Sequence, residues 1–101
     1  MIIVAILTVR SQAREQFHAF ELIASRVMAR HGGAIERTVA VRDDASDERF
    51  KEIHFVRFPD REAFDAYRAD EELARAAHLR DASVIATEIF IGEDGPDYNG
   101  V

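Results

Sequence analysis

The chain has 101 residues, room for one domain around one core. Hydrophobic residues make up 48% and charged residues 32%, a globular balance that argues against disorder. The absence of cysteine removes disulfides, thiolate metal sites and cysteine nucleophiles together. With 13 Lys+Arg against 19 Asp+Glu the net charge is −6, which argues against nucleic acid or an anionic membrane as a partner.

Residues 2 to 9 are β-branched and apolar on both alternating faces, the pattern of a strand covered on two sides. No basic stretch precedes them and no small-residue cleavage site follows. Nothing approaches the roughly 20 apolar residues of a membrane span, so a soluble, cytoplasmic protein is expected. Ser11 stands where a helix N-cap belongs. Phe17, Phe20, Ile23, Ala24, Val27 and Met28 then recur at three- and four-residue steps, one apolar stripe of a helix. Gly32 and Gly33 end it.

Ile35 to Arg42 alternates as a strand whose apolar face Arg37 interrupts, and Phe50 to Phe58 is a second alternating strand. The short polar run between them, Asp43 to Glu48, makes the pair a hairpin. It lacks the spacing, central glycine and final glutamate of a calcium loop. Pro59 ends the second strand, and Asp60 can cap the helix that Ala63, Phe64 and Tyr67 announce. A further helical turn restarts near Asp70, with Glu71 and Glu72 at its positive end and His78 and Arg80 at its negative end. Ser83 to Ile91 is the last strand. Residues 92 to 101, with Gly95, Pro96 and Gly100, form an irregular tail to a single domain over 1–91.

The order β-α-β-β-α-β predicts an α+β, ferredoxin-like fold, a four-stranded antiparallel sheet with its helices on one face. Alternation by residue number divides the strands into two sets. The odd set, with Ile3, Leu7, Val9, Ile35, Val39, Ile53, Phe55 and Ile89, is expected under the helices. The even set, with Ile2, Val4, Ile6, Glu36, Thr38, Glu52, His54, Val56, Glu88 and Phe90, is expected on the open face. So much exposed aliphatic surface predicts a homodimer packed sheet to sheet. Glu36, Glu52, His54 and Glu88 would then line part of the enclosed space.

The helix end Arg30-His31-Gly32-Gly33, the hairpin after it, and Arg57-Phe58-Pro59-Asp60 leading into Ala63, Phe64 and Tyr67 resemble an uncharacterised family. That family belongs to the dimeric α/β-barrel superfamily, alongside the antibiotic-biosynthesis monooxygenases. The resemblance runs over most of residues 2 to 91. It implies a dimeric α/β barrel, a small-molecule ligand, and monooxygenase-, isomerase- or decyclase-like chemistry with no cofactor.

His54 is the leading candidate for chemistry: a mid-strand histidine two residues from Glu52 suits a general base whose imidazolium a carboxylate stabilises. Glu52 or Glu88 would orient it. The alternative is a histidine that merely hydrogen-bonds across a dimer interface. Glu36, Thr38, Arg57 and Tyr67 are the candidate ligand contacts, between sheet and helices or between two sheets. Tyr67 also fits the core, and Arg57 could pair with an acid as readily as bind an anion. No spacing forms an established metal motif, so no metal is assigned. His18, His31 and His78 read as structural. No phosphate loop, nucleophile elbow or His-Glu-x-x-His is present. The competing function is a non-catalytic dimeric module whose polar strand residues only set sheet register and pairing.

Overall fold

The computed structural model describes residues 1–41 and 47–100. The elements are β1 (Ile2–Arg10), a 3-10 turn (Ser11–Ala13), α1 (Arg14–Arg30), β2 (Ala34–Val41) and β3 (Arg49–Arg57). These are followed by α2 (Arg61–Arg68), α3 (Glu71–Arg75), α4 (Ala77–Ser83) and β4 (Val84–Gly92). Antiparallel pairing in the order β2-β3-β1-β4 makes one four-stranded sheet. This is the ferredoxin-like α+β arrangement that the order of apolar patterns predicts. The expected strand end at Arg42 and the loop acids Asp43 and Asp44 lie outside the described residues.

β1 is an interior strand, paired on one side with β3 and on the other with β4. Phe17, Phe20, Ala24, Val27 and Met28 of α1 are buried, as the stripe predicts. The helix ends in a Schellman motif: Gly33 N–H donates to Met28 O at 2.9 Å and Gly32 N–H to Ala29 O at 3.1 Å. Gly32 carries the left-handed φ of 76° that this termination requires.

Ser11 does not cap α1. It begins the 3-10 turn, and no side chain caps the helix that follows, because the turn moves the true helix start three residues on. Asp60 and Asp70 do cap. Asp60 accepts from Ala63 N–H at 2.8 Å and Asp70 from Glu72 N–H at 2.9 Å. The second helical region is divided into three short helices, the third starting at Ala77 without a side-chain cap.

Ile3, Met28, Val56, Phe58 and Phe64 form one part of the core; Leu7, Val9, Phe17 and Val84 form another. Both lie between the helices and one face of the sheet. The composition of that face differs from the one that residue-number parity predicts. Ile3 stands opposite Val56, Ala5 opposite His54 and Leu7 opposite Glu52. Odd positions of β1 thus share a face with even positions of β3.

His54, Glu52 and Val56 are consequently under the helices, while Ile53 and Phe55 are on the open face. Parity holds within a strand, but the lengths of the connections set it anew at each pairing. β2 adds an irregularity between Ile35 and Arg37, so Ile35 lies on the helix side, opposite Val56, and Val39 on the open side, opposite Ile53. Between β1 and β4 parity is retained from Ile2 to Thr8, so Ile89 pairs with Ala5 on the helix side, and Glu88 with Ile6 and Phe90 with Val4 on the other; a register shift after Thr8 then pairs Val9 with Val84 and puts Val84 in the core.

Candidate functional site

A half-open cavity of about 450 Å³ lies between the helix-covered face and the helices. Its floor comes from Ile3, Ala5 and Leu7 of β1 with His54 and Val56 of β3. Phe20, Glu21 and Met28 of α1 close one side, and Phe64, Tyr67, Leu73 and Arg80 of the three short helices close another. The lining is predominantly apolar with a few convergent polar groups, the constitution of a small-molecule pocket.

His54 is 4% exposed, pressed beneath α1 with its ring 6.4 Å from that of Phe17. Its Nε2 lies 2.8 Å from Glu52 Oε1. Extended backbone puts residues two apart on one face, so the strand itself brings the pair together. A carboxylate only accepts, so Nε2 donates to Glu52 and the ring presents Nδ1 on its other side. That nitrogen is 3.7 Å from Glu21 Oε2 on α1.

Burial raises the Glu21 carboxyl above its ordinary value, and the nearby charge of Glu52 pushes the same way; His54 and Arg80 oppose. Tyr67 is pushed up to about 12, chiefly by burial with Glu21 adding and Arg80 opposing, and it stays a neutral donor. Its ring packs 5.3 Å from Phe58 and 6.4 Å from Phe64. Arg80 donates to Thr87 Oγ1 of β4 at 2.8 Å, which holds a cation at the cavity wall.

The remaining candidates are dispersed. Glu88 is exposed on the other face of the sheet. Thr38 stands opposite His54 on the edge strand β2, exposed and outside the cavity lining. Glu36 sits at the β2 irregularity and accepts from Arg57 Nε at 3.0 Å, while the other side of that guanidinium reaches Asp94 at 3.0 Å. Arg57 is thus held between two acids at the rim of the sheet. Of the four groups expected to share one space, only Glu52 and His54 are together.

Glu21 and Arg80 join the site without having been singled out as chemical groups. For Glu21 a signal existed: it stands four residues after Phe17 and three before Ala24, squarely on the apolar stripe of α1. An acid in that position is buried or faces a cavity. His18 and His78 are exposed, and His31 ends α1 with its Nε2 2.8 Å from Asp70 Oδ2. Among the described residues no cluster of three or more His, Asp or Glu side chains is arranged to hold a metal ion. None of the described helices is long and apolar enough to cross a membrane.

The fold defines the class: a ferredoxin-like α+β protein whose neighbours among solved structures are antibiotic-biosynthesis-monooxygenase-like. SnoaB, a cofactor-independent oxygenase from Streptomyces nogalater, shares 18% identity with a TM-score of 0.59 over 93% of each chain. A protein of unknown function from Rhodopseudomonas palustris shares 17% with a TM-score of 0.72, over 93% of this chain and 84% of that one. An antibiotic biosynthesis monooxygenase shares 17% with a TM-score of 0.63, over 95% of this chain and 100% of that one. At these identities the likeness establishes the shared fold. No family model and no curated protein matches the chain.

Proposed function

We propose that this protein binds a small, largely apolar organic molecule in the cavity between sheet and helices, and that His54 acts on it as a general base oriented by Glu52. The observation that carries this reading is the buried Nε2–Glu52 contact of 2.8 Å, which leaves Nδ1 as the ring nitrogen that faces Glu21 and the cavity. An imidazole nitrogen with its far side anchored to a carboxylate is arranged to accept a proton and to stabilise the cation that forms. Tyr67 supplies a neutral hydrogen bond to the ligand. The likeness to a cofactor-independent oxygenase supports monooxygenase- or isomerase-like chemistry at such a site. This reading does not use Glu36, Thr38, Arg57 or Glu88, none of which lines the cavity or contacts His54 through its side chain.

The open face of the sheet exposes Phe90 by 57% beside the aliphatic side chains of β1 and Ile53 and Phe55 of β3. A second copy, packed face to face about a two-fold axis, would cover it. A sedimentation or light-scattering mass of one chain at micromolar concentration would remove the dimer from this reading.

Nitrogen-15 spectra of the imidazoles, with His54 assigned from a His54→Gln variant, test the base. The hydrogen is expected on Nε2, and small apolar fragments are expected to shift the resonances of cavity-lining residues. A hydrogen on Nδ1, or a cavity that no fragment perturbs at millimolar concentration, would refute the function.

A further inference from the structure

Glu21 projects from α1 toward the same point in the cavity as His54 Nδ1, at 3.7 Å, and no side-chain hydrogen bond among the described residues engages its carboxyl. It is 19% exposed at the side chain, against apolar Phe20 and Met28 on its own helix. The charged or titratable groups around it come from every wall: Glu52 and His54 from β3, Tyr67 from α2 and Arg80 from α4. We propose that Glu21 is a second catalytic group, a protonated carboxyl that donates to a carbonyl oxygen while His54 removes the neighbouring α-hydrogen, so that the cavity takes enolisable carbonyl compounds and interconverts their keto and enol forms. This inference rests on the reading of His54 as a general base.

The geometry selects this ligand class. An enolisable carbonyl compound carries its acidic hydrogen and its oxygen on adjacent carbons. A proton acceptor and a proton donor 3.7 Å apart can engage both at once. The surroundings set the two roles apart. Burial raises the Glu21 carboxyl and so favours its neutral form, whereas the Glu52 carboxylate holds the opposite nitrogen of His54.

In the forward step the C–H bond breaks and its proton passes to His54 Nδ1. The electron pair becomes the carbon–carbon double bond, the carbonyl π pair moves to oxygen, and that oxygen takes the Glu21 proton. The products are the enol, a His54 imidazolium and a Glu21 carboxylate, an ion pair in place of two neutral groups, with no oxidant or reductant consumed. Reversal, with a solvent-exchanged proton passing from His54 Nδ1 back to the same carbon and the enol hydrogen returning to the Glu21 carboxylate, completes the cycle.

The test uses the full chain and 2-tetralone, an apolar ketone with activated α-hydrogens, in deuterium oxide. Proton NMR follows both the loss of those hydrogens and the shifts of cavity residues. Wild type is expected to exchange them at least about 100-fold faster than buffer. His54→Gln is expected to return to the buffer rate. Glu21→Leu, close in volume and suited to the apolar surroundings, is expected to lose about 100-fold in rate with little change in binding. Glu21→Gln is expected to recover to within about tenfold of wild type, because its amide N–H can still donate to the oxygen.

Binding of 2-tetralone in the cavity with exchange no faster than buffer would overturn the inference. So would a Glu21→Leu variant that exchanges as fast as wild type, or a Glu21→Gln variant as impaired as Glu21→Leu. Absence of any cavity shift with 2-tetralone or apolar fragments would instead overturn the underlying reading of the cavity as a binding site, and the inference with it.

Discussion

Gly33→Ala tests the packing that closes one end of the cavity. Gly33 is buried just after α1, and a Cβ there would stand 2.5 Å from both Cε1 and Cζ of Phe58 and 2.8 Å from Met28 Cγ. Phe58 is fully buried, with ring centroids 5.5 Å from Phe64 and 5.3 Å from Tyr67, so its ring cannot swing away without displacing both. Forcing an extra carbon into a filled core costs about 1–3 kcal/mol. For a domain of this size, about 2 kcal/mol corresponds to a fall in melting temperature of about 10 °C. Gly92→Ala is the control, because a Cβ there meets nothing within 4 Å. It should leave the melt unchanged or raise it slightly through loss of unfolded-chain entropy. Melting both variants by circular dichroism decides the matter. A Gly33→Ala protein melting within about 2 °C of wild type would show that this core yields easily and would refute the reasoning.

Two further outcomes follow from the titrating groups. The Glu21 carboxyl is raised in the folded chain, so its contribution to stability is full below the ordinary glutamate range and is lost as pH rises through the folded value. Glu21→Gln should therefore melt above wild type at pH 8, and the difference should close as pH falls toward 4; a constant difference across that span would refute it. Asp70 runs the other way: its bonds from His31, the Glu72 backbone and Arg30 hold its carboxyl well below the usual range. Its contribution is present above the ordinary aspartate range and is lost as pH falls through the folded value. Asp70→Asn should lower the melting temperature at pH 7 and flatten its decline in acid, whereas an unchanged acid profile would show that the bonds contribute nothing.

The order of elements was legible because each left a local signature. The stripe from Phe17 to Met28 could only be helical, Gly32 and Gly33 could only end it, and Asp60 and Asp70 stood where helices restart. What each strand faces was less legible. Residue-number alternation placed His54 correctly within β3 but on the wrong side of the sheet. The relation between β1 and β3 depends on the lengths of the intervening helix and loops, and no side chain within either strand encodes it. The pairing of His54 with Glu52 survived that error, since a two-residue spacing within one strand is local. Glu88 and Glu36 were lost with it, because their supposed neighbours were on other strands. Glu21 was readable as an acid within an apolar stripe, and its meaning emerges only when β3 is known to run beneath it.

The His54–Glu52 pair and the helical wall of the cavity have different mechanical origins. His54 and Glu52 ride on β3, bonded to a strand on each side, whereas Tyr67, Leu73 and Arg80 come from three separate helices of eight, five and seven residues. Each of those helices is shorter than a segment stable on its own and holds its place by docking, with side-chain caps on the first two. An exchange at one of these positions reshapes the space above His54 while leaving the sheet register alone. Under the proposed function, selectivity and reactivity would thus be inherited from separable stretches of chain, with residues 61–83 a cassette that can vary while β3 stays fixed.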